Sequence, residues 1–355
     1  MDINSTLLGK IETLEKGQIT DYGLNICQIK SILSENGNYS ERQDISLTLI
    51  REILDANGKG EVAIHLSNLA EIEPYANKIN ENLRDHVIHT LQTYILGIYI
   101  NEFFLKKKSP SVTCFQWKIA CLFHDIGYPV KIGQEFLNKY AQQRNEIHKD
   151  LEFNISPIFF EIRPVGINNL SNGEDAFDLI QDCLNSWELQ IDAKKEFQKM
   201  GKINSISHGI ISALSVLNIL DIYYQKNNPQ RVYENFFERN SRINCNQKFF
   251  DNDIVPACTA IFIHDLPPRC FNKSKINREI APIAYLLKAS DSLQEWQRPW
   301  KNNENGISPS KFDIKINQRR IDFFANIDIE KIEKIKRDIR YSIKGHDINV
   351  EQMMI

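Results

Sequence analysis

The chain has 355 residues, 42% hydrophobic and 25% charged, enough for one large domain with an appendage or for two domains around a real core. Its formal charge of -3 excludes a protein whose main task is to coat nucleic acid, while leaving nucleic acid open as a substrate. Seven cysteines, an odd number with no CxxC pair, read as reduced buried thiols, which excludes a zinc ribbon or disulfide framework; no segment reaches the roughly 18 uninterrupted apolar residues of a membrane span, and no basic-then-apolar start is present, so the expected location is the cytoplasm, without a membrane partner.

Residues 1–80 alternate short amphipathic pieces with polar breaks such as Asn57-Gly58-Lys59-Gly60 and read as an N-terminal helical lead-in. From Arg84, apolar residues at Ile88, Leu91, Ile95, Ile98 and Tyr99 predict a helix with one buried face and His89 beside it. After the break at Lys106–Pro110, a second apolar helix ends near Gly127 and Pro129, which puts His124-Asp125 in its last turn. Residues 131–200 form an insertion positioned to cover a site. The segment 205–224 is a strong helix with Ser205 or Ser207 as N-cap and His208 in its first turn, where the helix dipole favours a neutral imidazole.

A second insertion, 226–253, precedes a helix that starts around Pro256 and stops at Pro267-Pro268, with His264 at its end. The last apolar helix carries Lys288 and Asp291 three residues apart on one face. Beyond residue 305 the pattern changes: 311–327 alternates as a β-hairpin turning near Asn317-Gln318, and 329–345 is a charged amphipathic helix. The expected fold is therefore mainly α, a helical bundle over 81–305 with a small C-terminal α/β appendage at 306–355. A homodimer through the hairpin edge at 311–327 is one open expectation.

The chemistry lies in an ordered series: His89, His124-Asp125, His208, His264 and Asp291, each in or at the end of an apolar helical segment. Imidazole and carboxylate ligands without thiolate suit Mn, Fe, Co, Ni or Zn and argue against a closed structural zinc site. The sequence LFHDIG at 122–127, with a histidine 35 residues upstream and an aspartate at the end of the helical series, resembles the HD superfamily of metal-dependent phosphohydrolases, in its binuclear form.

That resemblance, over roughly 84–296, implies an HD-domain bundle holding two divalent transition-metal ions. One would be bound by His89, His124, Asp125 and Asp291, with Asp125 bridging to a second held by His208 and His264. His89 is preferred to His86 because the following TLQTYILG gives the family spacing. The implied catalytic residues are His124, Asp125 and Lys288, the last as a phosphate-neutralising cation. The implied reaction is attack of a metal-activated bridging hydroxide on a nucleotide or other small phosphorylated substrate.

Asp265 is expected to orient His264 or to cap its helix. Lys131, Arg144 and Arg298 are weaker phosphate candidates, Trp296 and Trp300 weaker stacking candidates, and His65, His148 and His346 stand outside the series. Tyr128-Pro129 follows HDIG where family members commonly carry a lysine. Two other readings remain open on the same ligands: an HD-type di-iron oxygenase, and a metal-binding signalling or defence module without turnover.

Overall fold

Helices dominate the computed structural model, which describes residues 3–14, 16–33, 39–55, 86–106, 112–134, 166–170, 173–203, 207–224, 249–295, 312–317 and 319–353. The lead-in supplies α1 (Ile3–Ile11), α2 (Lys16–Asp21), α3 (Ile26–Leu33) and α4 (Tyr39–Asp55), and the Gly-rich turn expected at 57–60 lies outside the described residues. Leu7, Ile29, Ile50 and Ile53 bury the inner faces of α1, α3 and α4 against α5 (Val87–Ile100). Tyr22 fastens the two parts together. Its hydroxyl donates to Glu102 Oε1 (2.6 Å) and accepts from Asn101 Nδ2 (2.8 Å), while its carbonyl accepts from the Tyr94 hydroxyl (2.7 Å).

All fourteen residues of α5 are buried, so the one-faced helix read from the sequence is enclosed on every side. The reason is its position, with α1, α3 and α4 on one flank and α6 (Cys114–Leu122) and α11 (Pro282–Leu293) on the other. A π turn, Asn101–Leu105, ends it. Helix α6 opens with a reciprocal capping box between Thr113 and Gln116 and stops at Phe123. His124-Asp125 therefore lies in the turn beyond the helix and not in its last turn. The cause is local: His124 Nδ1 donates to Cys121 O (2.6 Å), the carbonyl that a continuing helix would offer to the amide of residue 125.

Of the 131–200 insertion, residues 166–203 include α7 (Ala176–Ser186) and α8 (Ala193–Ile203). Phe177, Ile180 and Leu184 bury the inner face of α7, which packs on α10 (Val255–His264) and α9 (His208–Tyr224). The described residues of this half pack into the core, and none of them lines the His/Asp pocket described below. Residues 135–165 lie outside the described residues.

Helix α10 is the hub of the bundle, contacting α6, α7, α9 and α11. Its start differs from the sequence reading, because the chain is already helical at Phe249 and runs through a π turn, Phe250–Ile254. Pro256 has no N–H to give the Asn252 carbonyl, and that acceptor takes Gln116 Nε2 instead (2.9 Å).

The C-terminal segment forms β1 (Phe312–Ile316), β2 (Ile321–Ala325), α12 (Ile329–Ser342) and β3 (Ile348–Gln352). β1 pairs antiparallel with β2, and β3 adds parallel to β2, giving the order β1-β2-β3. The third strand is absent from the sequence reading: INVEQ alternates, but over five residues with only Ile348 and Val350 apolar the signal is short. The strand occupies the β2 edge of the hairpin, one of the two edges that a second chain would need. Thr6 Oγ1 donates to Asp313 Oδ1 (3.1 Å), so the chain's first helix meets its sheet.

The cysteines meet the expectation in part: all six described are free thiols, Cys121 and Cys258 are buried, Cys114, Cys183 and Cys270 are half-buried, and Cys27 is exposed. No helix among the described residues is long and apolar enough to cross a membrane.

Candidate metal centre

The helices bring the ordered series together at their ends, α5 and α9 by their starts and α6, α10 and α11 by their finishes. His89 lies in the first turn of α5, His124 and Asp125 follow α6, His208 begins α9, His264 ends α10, and Asp291 is near the end of α11. All six line or adjoin one pocket of about 500 Å³. Asp125 stands between the imidazoles: one carboxylate oxygen is 3.1 Å from His208 Nε2 and 3.8 Å from His264 Nε2, and the other is 3.4 Å from His124 Nε2. Asp291 Oδ1 is 3.0 Å from His89 Nε2 and 3.8 Å from His124 Nε2.

Two glycines allow this convergence. A Cβ on Gly209 would stand 2.8 Å from the His264 ring, and one on Gly127 would stand 2.5 Å from the His208 carbonyl. Gly127 N–H also donates to Ser212 Oγ (2.8 Å), seating the His124-Asp125 turn on α9.

Three of the four imidazoles are held from behind by a hydrogen bond at Nδ1, and the fourth, His208, has its Nδ1 beside a carboxylate without hydrogen-bond geometry. His124 Nδ1 donates to Cys121 O and His264 Nδ1 to Ile261 O, both at 2.6 Å. His89 Nδ1 contacts Gln294 Oε1, and Gln294 Nε2 donates onward to Gln92 Oε1 (2.6 Å). His208 Nδ1 is 2.9 Å from Asp265 Oδ2. A carbonyl can only accept, so the neutral rings of His124 and His264 carry their protons on Nδ1 and present bare Nε2 lone pairs to the pocket. Those two Nε2 atoms are buried and have no hydrogen-bond partner among the described residues.

Carboxylates govern the charge of the metal-free cluster. Burial alone would raise the Asp125 pKa, but His124, His208 and His264 together hold it well below the carboxylate range. Asp291 is lowered in the same way by His124 and His89. Burial would lower the His208 pKa, yet Asp265 and Asp125 raise it to about 9, which reverses the neutral bias expected from the helix dipole alone. Of the two roles expected for Asp265, its position is that of the cap, at the C-terminal end of α10; its carboxylate turns to His208 and does not orient His264, whose Nδ1 is satisfied on its own helix.

The donor set fits metal. His89, His124 and Asp291 form one group able to hold an ion and His124, Asp125 and His264 an overlapping one; the two share the single free nitrogen of His124, and His208, 3.1 Å from Asp125, belongs to neither. Donors about 2.1 Å from a shared ion stand roughly 3.0 Å apart at right angles and roughly 3.4 Å apart in a tetrahedron, the spacing of the closer pairs here.

Lys288 is buried on the pocket wall, and its Nζ donates to His264 O (2.8 Å), so it caps α10 and carries positive charge at the site. The His86 ring packs on Tyr128 with centroids 3.7 Å apart, in the same pocket. Lys131 approaches the Tyr128 ring at 5.0 Å, and His346 is exposed. Arg144, Arg298, Trp296, Trp300, His65 and His148 lie outside the described residues.

Three contributors escaped the sequence reading. Gln92 and Gln294 carry a faint signal, being amides in or beside apolar helices. Gly209 carries none, since a helical glycine gains its meaning from the ring packed on it. The third is α12, which lends Lys331, Lys334, Ile335 and Asp338 to the pocket. Comparison of the chain with protein-family profiles, with curated proteins and with solved structures finds no match.

Proposed function

We propose that this protein is a metal-dependent phosphohydrolase of the HD type, cleaving a nucleotide or related phosphoester. His89, His124, Asp125, His208, His264 and Asp291 would hold two divalent transition-metal ions. The observation that carries the reading is the common orientation of four imidazoles, three hydrogen-bonded at Nδ1 and His208 with its Nδ1 beside the Asp265 carboxylate, all turned with Nε2 toward two carboxylates at one pocket. Bound there, divalent ions supply Lewis acidity toward a phosphoryl oxygen and make water nucleophilic near neutral pH.

The chain's own groups prepare that chemistry. Asp125 directs its two oxygens to different imidazoles, the arrangement a carboxylate shared between two ions requires. The Cys121 and Ile261 carbonyls keep His124 and His264 in the ligating tautomer, and the Gln92–Gln294 pair does the same for His89. Lys288 places a fixed cation on the wall where a phosphoester's negative charge would lie.

Elemental analysis of the purified protein and of three variants tests the metal assignment. His208→Ala and His264→Ala are each expected to lose one metal equivalent in a folded protein, and Asp125→Ala to disturb both. Two equivalents retained in all three variants would sink the binuclear reading. A panel of nucleotides, dinucleotides and cyclic dinucleotides with Mn, followed by phosphate and nucleoside products, tests turnover. Iron with O₂ consumption and no phosphate release would replace hydrolysis with oxygenation.

A further inference from the structure

The solvent face of α12 divides by charge. Its first half carries Glu330 and Glu333, the latter 2.8 Å from Lys336 Nζ. Beyond them the only acid before Asp347 is Asp338, whose side chain lines the His/Asp pocket. Arg337, Arg340, Tyr341 and Lys344 recur at i, i+3, i+4 and i+7 and form one stripe that runs to the end of the helix and just past it. All four are exposed, and the opposite face of Ile332, Ile335, Ile339 and Ser342 is buried.

A second segment is fastened beside this stripe. Lys275 Nζ donates to Arg340 O (2.7 Å), Ile276 N to Ser342 O (2.8 Å) and Lys344 N to Ile276 O (2.9 Å). Ile276 and Ile343 form a parallel bridge and are both buried. Lys275 and Lys344, each one residue from that pair, therefore point the other way, into solvent. Residues 269–280 hold four bases, Arg269, Lys273, Lys275 and Arg278, against the single acid Glu279.

In a chain of 43 bases and 46 acids this is a local excess of positive charge. Arg278 and Lys336 are paired with Asp347 and Glu333, but Lys275, Arg337, Arg340 and Lys344 have no carboxylate within 4.0 Å among the described residues. The C-terminal end of a helix dipole amounts to only about half a negative charge, far less than these four cations supply. Tyr341 decides the partner. It is 46% exposed, one of three large hydrophobic side chains so placed among the described residues, and it stands inside the cationic stripe. A ring flanked by guanidinium groups offers a face to an unstacked base while the cations meet phosphates. A membrane surface would instead require aliphatic anchors beside the cations, and the exposed Ile329 lies at the other end of α12.

We infer that the C-terminal end of α12, with Lys275, is a binding surface for single-stranded nucleic acid. Lys275, Arg337, Arg340 and Lys344 hold phosphates, and Tyr341 stacks on a base. None of these five side chains lines the His/Asp pocket, so the inference is independent of the metal chemistry.

Fluorescence anisotropy of a labelled oligothymidylate of about 12 nucleotides with the full-length protein, repeated across salt concentrations, tests it. Four phosphate contacts predict a slope of log K against log salt of about -3, from roughly 0.7 per contact on a single strand. Arg337→Gln/Arg340→Gln should weaken binding and bring the slope to about -1.5, and Arg337→Lys/Arg340→Lys should keep it. Tyr341→Ala should lose roughly tenfold in affinity at unchanged slope, and Tyr341→Phe should retain it. Circular dichroism and metal content should match wild type in every variant, because the altered side chains are exposed. The inference is overturned by a wild type that does not bind the strand in about 50 mM salt, or by a slope untouched in the glutamine pair. Equal affinity for a duplex of the same length, or tighter capture by phosphatidylserine vesicles than by the strand, overturns it as well.

Discussion

Metal uptake should depend steeply on pH, and Asp265→Asn should shift that dependence. His208 lies 2.9 Å from Asp265 and 3.1 Å from Asp125, and the two carboxylates raise its pKa to about 9 in the metal-free protein. At pH 7 only about 1% of His208 is then neutral, and displacing its proton costs a metal ion about 2.7 kcal/mol. Apparent affinity at the site served by His208 should climb about tenfold per pH unit from 7 to 9 and then level.

The metal-free fold responds with the opposite sign. A histidine raised from 6.5 to about 9 contributes about 3 kcal/mol that is fully present below pH 6.5 and lost as the pH rises through 9. Asp265→Asn removes one of the two charges without changing the side chain's shape. It should lower the pH at which affinity levels and reduce the protons released on binding at pH 7. Titration calorimetry of Co²⁺ into metal-free protein, in two buffers of different ionisation enthalpy, counts those protons directly. Denaturant unfolding of the metal-free protein between pH 6 and 10 checks the linked loss of stability. Affinity that is flat between pH 7 and 9, or unchanged by Asp265→Asn, would refute the reasoning.

Two further substitutions probe the backbone that shapes the site and the fold. Gly209→Ala puts a methyl group 2.8 Å from the His264 ring, so it should cost about 1–3 kcal/mol and at least one metal equivalent, read by urea unfolding and elemental analysis. Wild-type metal content in that variant would mean the ring has room to retreat. Glu188 has φ +58° in the turn after α7, where Leu189 N bonds Leu184 O and Glu188 N bonds Asn185 O. Glu188→Gly should therefore raise stability by up to about 1 kcal/mol, seen as a higher urea midpoint at constant slope; a lower midpoint would show that the side chain earns its place by other contacts.

The amino-acid sequence was enough to reveal the helical bundle and the series of possible ligands, because both are local. Apolar periodicity, capping residues and prolines mark helix ends, and the ligand types are visible at those ends. It also located the hairpin and the helix that follows it. What it lacked was the way separate helix ends meet. The carbonyl bonds that stop α6 and orient His124, the allocation of Asp265 to His208, and the glycine beneath the His264 ring each depend on atoms brought together by packing. The same holds for α12, which reads in sequence as a charged amphipathic helix without saying what its charged side faces. Only the tertiary structure, by adding β3 beside β2 and tying the end of α12 to Ile276, turns Lys331 and Lys334 toward the metal pocket.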